Sequence, residues 1–185
     1  PAARLGVPGA YQCLLNNSRS QYVAFCDQDD VWLPSKLRIL RERIELEENV
    51  SGRETPILVH SDLHVVDEDL VELSDSFWKY QKLNPSKMQT LQRLLIQNCV
   101  TGCAAIINRA LVRCALPIPK DAIMHDWWFA LIAAAQGKII DISYKTVEYR
   151  QHESNDTGAK KWGLSYIINS LVYERSAIRQ SLLET

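Results

Sequence analysis

At 185 residues, with 46% hydrophobic and 23% charged side chains, the chain is long enough for one domain with a real core and too short for two. A formal net charge of −1 argues against a general nucleic-acid binder, which needs excess Lys and Arg on one face. No apolar run reaches the roughly 18 residues of a membrane span, and no signal peptide is expected.

The cysteines Cys13, Cys26, Cys99, Cys103 and Cys114 are scattered, odd in number and mostly set in apolar runs. They are expected to be buried free thiols in a reducing, cytoplasmic compartment. Cys99 and Cys103 lack the second Cys or His pair that a zinc site requires. The chain starts at Pro1, without an initiator Met, and reads as a fragment.

In chain order, Gly6-Val7-Pro8-Gly9 predicts a loop, and 10–17 a short helix. Residues 21–26 are rich in β-formers and predict a buried strand that runs straight into Asp27, Asp29 and Asp30. Pro34 opens a surface helix over 34–48, with Leu37, Leu40 and Ile44 on its apolar face and Arg41, Glu45 and Glu48 outside. A strand is expected at 57–61, then an acidic loop from Asp62 to Asp69. Ser86 to Gln89 has capping-box spacing and predicts a helix to about Ile96.

Further on, 103–107 predicts a buried strand, and 108–115 a short helix stopped by Pro117. Residues 126–136 predict a helix that is apolar all round and therefore buried, with Gly137 as its stop. Two short strands, 138–142 and 145–149, and a closing helix over 162–183 complete the pattern. The alternation predicts one α/β domain over 1–185, a sandwich around a mainly parallel sheet. Only four or five strands can be counted, few enough that one or two are expected to be missing from the amino end.

Three carboxylates within four residues repel one another, and a divalent cation between them relieves the repulsion. The carboxyl end of such a strand is also where open α/β sheets bind ligands. An acidic solvated turn is the simpler alternative. An EF-hand loop starting at Asp27 fails, because Trp32 and Arg38 stand where Gly and Glu are required. A haloacid dehalogenase-type phosphatase shares the Asp-x-Asp-x-Val pattern of Asp27 to Val31, but its later Gly-Asp-x-x-x-Asp motif is absent.

Two further stretches exceed what packing needs. In Met124-His125-Asp126-Trp127-Trp128 a carboxylate heads an apolar helix, where it can serve as N-cap or as a functional group. Tyr149-Arg150-Gln151-His152 brings a cation and an imidazole off a strand into a polar loop.

In this order, the acidic stretch from Tyr22 to Pro34, His60-Ser61-Asp62, Thr101-Gly102-Cys103, His125-Asp126-Trp127 and the segment from Tyr149 to Ser154 resemble family 2 glycosyltransferases. The resemblance is to the rhamnosyltransferase-like enzymes of bacterial surface polysaccharide assembly. It implies a GT-A fold, truncated at its amino end, and a nucleotide-sugar donor such as a UDP- or dTDP-sugar. It also implies a saccharide or lipid-linked acceptor, and action in the cytoplasm or at the inner face of the membrane. A divalent cation, Mn²⁺ or Mg²⁺, would be held by Asp29 and His152. Asp27, Asp30 and Arg150 would contact the donor, Asp126 would be the general base, and Trp127 and Gly102 would lie toward the acceptor. The family's more usual acidic residue before the base is here His125.

The chemistry suits these residue types. Sugar transfer from a diphosphate develops negative charge on the leaving group, which a hard cation stabilises. A carboxylate on the opposite side takes the acceptor's proton, typically worth about 10²- to 10⁴-fold in rate. One base on the far face implies a single, inverting displacement. The competing reading from a different class is a non-catalytic interaction domain that keeps the fold without a donor pocket.

Overall fold

The computed structural model describes residues 5–152; the helix expected over 162–183 lies outside them. Within that span the order is α1 (Gly6–Asn17), β1 (Tyr22–Ala24), β2 (Val31–Trp32), α2 (Lys36–Ser51), β3 (Ile57–Val66), β4 (Glu72–Ser74), α3 (Phe77–Tyr80), α4 (Pro85–Met88) and α5 (Leu91–Leu94). A 3₁₀ turn (Gly102–Ala104), β5 (Ala105–Asn108), α6 (Arg109–Ala115), α7 (His125–Gln136) and β6 (Lys138–Arg150) follow.

The strands form one sheet in the order β1-β5-β3-β6-β2, with β4 paired to β3. The α/β class expected from the sequence holds, but the sheet is mixed. β1, β3 and β6 share a direction, yet the ladder between β3 and β6 is the one parallel ladder among the described residues, because β5 runs antiparallel between β1 and β3. Strand order and direction depend on pairings between distant segments, to which local alternation of strand and helix is blind.

The period-two alternation of strands distributes the core over two faces. Ile57 and Val59 of β3, with Ile106 of β5, pack on Leu40 and Ile44 of α2. Leu58, Ala105 and Ile107 point the other way, into a larger cluster with Leu111 of α6 and Phe129, Ala130 and Ala133 of α7. The result is a helix–sheet–helix sandwich. Each fully buried Leu or Ile contributes roughly 1.5–3 kcal/mol of transfer free energy.

Several local expectations change. The buried positions of α2 are Lys36, Leu40, Ile44 and Glu48, one every fourth residue, while Leu37 is 51% exposed. The predicted face was therefore rotated toward Leu37. Glu48 is satisfied by Tyr22 Oη at 2.7 Å and Asn108 Nδ2 at 3.0 Å. The second strand does not stop at Ser61 but runs on to Val66. Asp62, expected in a loop, is buried and accepts from Leu63 N, Ser76 Oγ and Trp78 N, so its charge is fully hydrogen-bonded.

The helix expected from Ser86 is broken into α4 and α5, with Asn84 as the N-cap and Pro85 in the first turn. The helix expected to start at residue 10 starts at Gly6. The two carboxyl-side strands are one: in β6, Ser143 and Tyr144 bulge out between Ile142, paired with Ser61, and Lys145, paired with Asp62. Gly137 does end α7, for a steric reason: a Cβ there would sit 1.9 Å from the Pro56 carbonyl oxygen.

Candidate active site

A cleft of about 590 Å³ opens beside the end of β1. Asp27 and Asp29 enter it from the loop after β1, Tyr11 from α1, Gly102 from the 3₁₀ turn, Asp126 from the first turn of α7 and His152 from just beyond β6. Five of the expected site residues, Asp27, Asp29, Gly102, Asp126 and His152, thus line one cavity although they span 126 positions of sequence.

Asp126 is not the N-cap of α7; Met124 holds that place, and Asp126 is the second helical residue. Its Oδ2 accepts from Gly102 N at 2.9 Å, and its Oδ1 from Trp127 N at 2.6 Å and Asn98 Nδ2 at 3.4 Å. Burial raises its pKa to about 6 against the opposing pull of those N–H groups, with a further push from Asp27. A carboxylate poised there is ionised at neutral pH and still basic enough to take a proton.

His125, adjacent to it, is buried and stacks on Tyr11 at 3.7 Å, with Phe25 edge-on at 5.0 Å. Among the described residues neither ring nitrogen has a hydrogen-bond partner, and burial lowers its pKa to about 4, so the imidazole is neutral. Where an acidic neighbour would add charge beside the base, His125 adds none.

In the same cleft, His152 Nε2 lies 2.9 Å from Asp29 Oδ2. Neighbouring ligands of an octahedral cation about 2.1 Å away stand about 3 Å apart, so this pair has the spacing and donor types to hold one. The Tyr11 hydroxyl reaches both Cys26 O at 3.1 Å and Asp27 Oδ1 at 3.3 Å. Burial raises the pKa of Asp27, and Asp29 adds to the effect. With Asp27, Asp29 and Asp126 on its walls, the cleft repels a diphosphate unless a cation intervenes.

Three expected site residues do not line the cleft. Asp30 turns inward, accepting from Arg150 N at 3.1 Å and lying beside the Cys103 thiol, and burial raises its pKa to about 6. Arg150 directs Nη1 to the Glu68 carbonyl at 3.2 Å. Trp127 is buried with its indole N–H on Leu94 O at 2.6 Å, and Trp128 reaches Ala115 O at 2.7 Å, so both indoles are engaged in packing.

Asp27, Asp30 and Cys103 bring ligand-type atoms within 4.8 Å of one another. Burial pushes the Cys103 thiol well above its ordinary pKa, which keeps it protonated and a poor ligand. Sequence reasoning overlooked Tyr11 and Lys36. Nothing local marks Tyr11; Lys36 is marked only by its four-residue spacing from Leu40.

The glycosyl transferase family 2 model matches residues 2–115, more than half of the chain. The chain belongs to glycosyl transferase family 2. As a family 2 glycosyltransferase it acts with a nucleotide-sugar donor and an acceptor, and its mixed α/β architecture is of the GT-A type. Membership sets aside the phosphatase reading of Asp27. The match contains the acidic loop and the Gly102 turn, whereas Asp126 and His152 lie beyond it and join the site through the fold. No curated protein matches the chain. Among the described residues, no helix is long and apolar enough to cross a membrane.

Proposed function

We propose that this family 2 glycosyltransferase transfers its sugar with inversion, with a divalent cation, Mn²⁺ or Mg²⁺, at Asp29 and His152 and with Asp126 as general base. The observation that carries the reading is the convergence of Asp29, His152 and Asp126 on one cleft from three separate elements. When bound, the cation offsets the charge of the diphosphate. Asp27, steadied by Tyr11, faces the nucleotide side. Asp30 and Arg150 act from behind the wall: the Asp30 carboxylate accepts the Arg150 backbone N–H, which ties the acidic loop to the end of β6.

Asp126 receives the acceptor's proton on a carboxylate held by Gly102 and Trp127 N–H groups. Those two bonds fix its orientation, which is the positional control a base needs. Rhamnose as the sugar, surface polysaccharide as the pathway, a saccharide or lipid-linked acceptor, and work at the cytoplasmic face of the membrane are carried by the resemblance of the acidic stretch and the other motif stretches, taken together and in their order, to rhamnosyltransferase-like enzymes.

Thermal stabilisation by UDP or dTDP, with and without Mn²⁺, tests the donor side on wild type and Asp29→Ala. Nucleotide is expected to stabilise wild type only with the metal, and Asp29→Ala to lose the effect. Equal stabilisation of both proteins without metal contradicts the reading.

A further inference from the structure

Lys36 is fully buried in the first turn of α2, on the same face as Leu40 and Ile44. An ammonium taken out of water costs several kcal/mol unless compensated, so its surroundings must be negative. They are. Its Nζ donates to the Cys103 carbonyl and sits 3.7 Å above the centre of the Trp32 ring. The Cys103 side chain lies within 4.8 Å of carboxylate oxygens of both Asp27 and Asp30, and these two carboxylates oppose, without cancelling, the burial that lowers the Lys36 pKa to about 8. The same turn that accepts from Lys36 also presents the Gly102 N–H to Asp126.

We propose that Lys36 is a positioning residue: its buried ammonium is the internal counter-cation of Asp27 and Asp30 and, through the Cys103 carbonyl, holds the acidic loop against the turn that orients Asp126. The proposal deepens the donor reading above and rests on it for its consequence. A resident positive charge behind the loop lowers the repulsion met by an incoming diphosphate. It also lets three neighbouring carboxylates keep their geometry before any divalent cation arrives. Lys36 touches neither donor nor acceptor and works through the loop and the turn.

A double-mutant cycle on the full chain, in chelator without metal or nucleotide, tests the charge pairing. Lys36→Met keeps an unbranched side chain one atom shorter and removes the charge, and Asp30→Asn keeps the acceptor for Arg150 N. Lys36→Met is expected to lower the melting midpoint by several degrees in wild type and by less than half as much in Asp30→Asn. An equal loss in both backgrounds overturns the proposal. Should Lys36→Met alone fail to fold, the proposal requires the double variant to fold, and failure of both overturns it.

The second measurement separates charge from scaffolding. Removing a charge several ångströms from the loop is worth about tenfold in UDP affinity measured with Mn²⁺, while Mn²⁺ alone is expected to bind Lys36→Met at least as tightly as wild type. Loss of both in proportion would mark a purely structural lysine. If wild type binds no UDP, the donor reading fails, and the metal-free cycle still judges Lys36.

Discussion

The backbone N–H of Gly102 meets Oδ2 of Asp126 at 2.9 Å, and a Cβ on Gly102 would stand 3.4 Å from that same oxygen and 3.0 Å from His125 Nε2. The tight contact is the one with His125, which must give by a few tenths of an ångström to admit a methyl group, while 3.4 Å to the carboxylate is ordinary van der Waals contact. Gly102→Ala is expected to shift His125, and with it the adjacent Asp126 carboxylate, and to lower kcat by about 10²-fold, with nucleotide binding preserved. Steady-state kinetics beside a nucleotide titration check it; wild-type turnover would show that the spacing is unimportant.

The ionisation of Asp126 sets a pH dependence. Transfer needs the carboxylate form, so kcat/KM is expected to fall on the acid side with a midpoint near the raised pKa of about 6. Stability runs the opposite way. Because the folded pKa lies above the unfolded one, Asp126 contributes stability that is fully present below the ordinary carboxylate range. That contribution is lost as pH rises through about 6. Measured against Asp126→Asn, the wild-type melting midpoint should therefore decline between about pH 4 and pH 6 and level off above. Asp126→Asn should retain donor binding and lose transfer.

Tyr11 offers a test confined to one hydroxyl. Its ring stacks on His125, and its oxygen reaches Cys26 O and Asp27 Oδ1. Tyr11→Phe keeps the stack and removes the hydrogen bond, whose net value of about 0.5–1.5 kcal/mol corresponds to a two- to tenfold weaker donor affinity. Isothermal titration with UDP and Mn²⁺ gives the number. A larger fall in melting midpoint than in affinity would assign Tyr11 to folding instead.

Gly137 stands where α7 turns into β6, with its N–H on Ala133 O at 2.9 Å and Pro56 O in the space of a Cβ. Gly137→Ala has to move either α7 or the start of β3, both central to the core. A loss of at least about 3 kcal/mol is expected in urea unfolding. Near-neutral behaviour would mean that the corner yields without resistance.

How much of this was legible in the sequence can be read from particular residues. The run from Tyr22 to Asp30 announced a strand delivering carboxylates to a ligand-binding edge, because β-propensity and charge repulsion act within a few residues. The 126–136 helix and its glycine stop were equally plain, since periodicity and capping are local. Lys36 was not legible as a buried charge: a lysine near a helix start looks like any solvated one until Trp32 and Cys103 are brought around it.

By itself, then, the sequence determined the α/β class, the acidic loop and the identity of the groups available for chemistry, all of which follow from interactions between near neighbours. Tertiary structure alone decided that β5 inserts antiparallel beside β3 and that Asp62 is buried. It also decided that Asp30, Arg150 and Trp127 stand off the cleft, while Asp29 and His152 meet across 123 residues. Those outcomes depend on which distant surfaces exclude water together, and burial of that kind is a property of the assembled sandwich and of no segment within it.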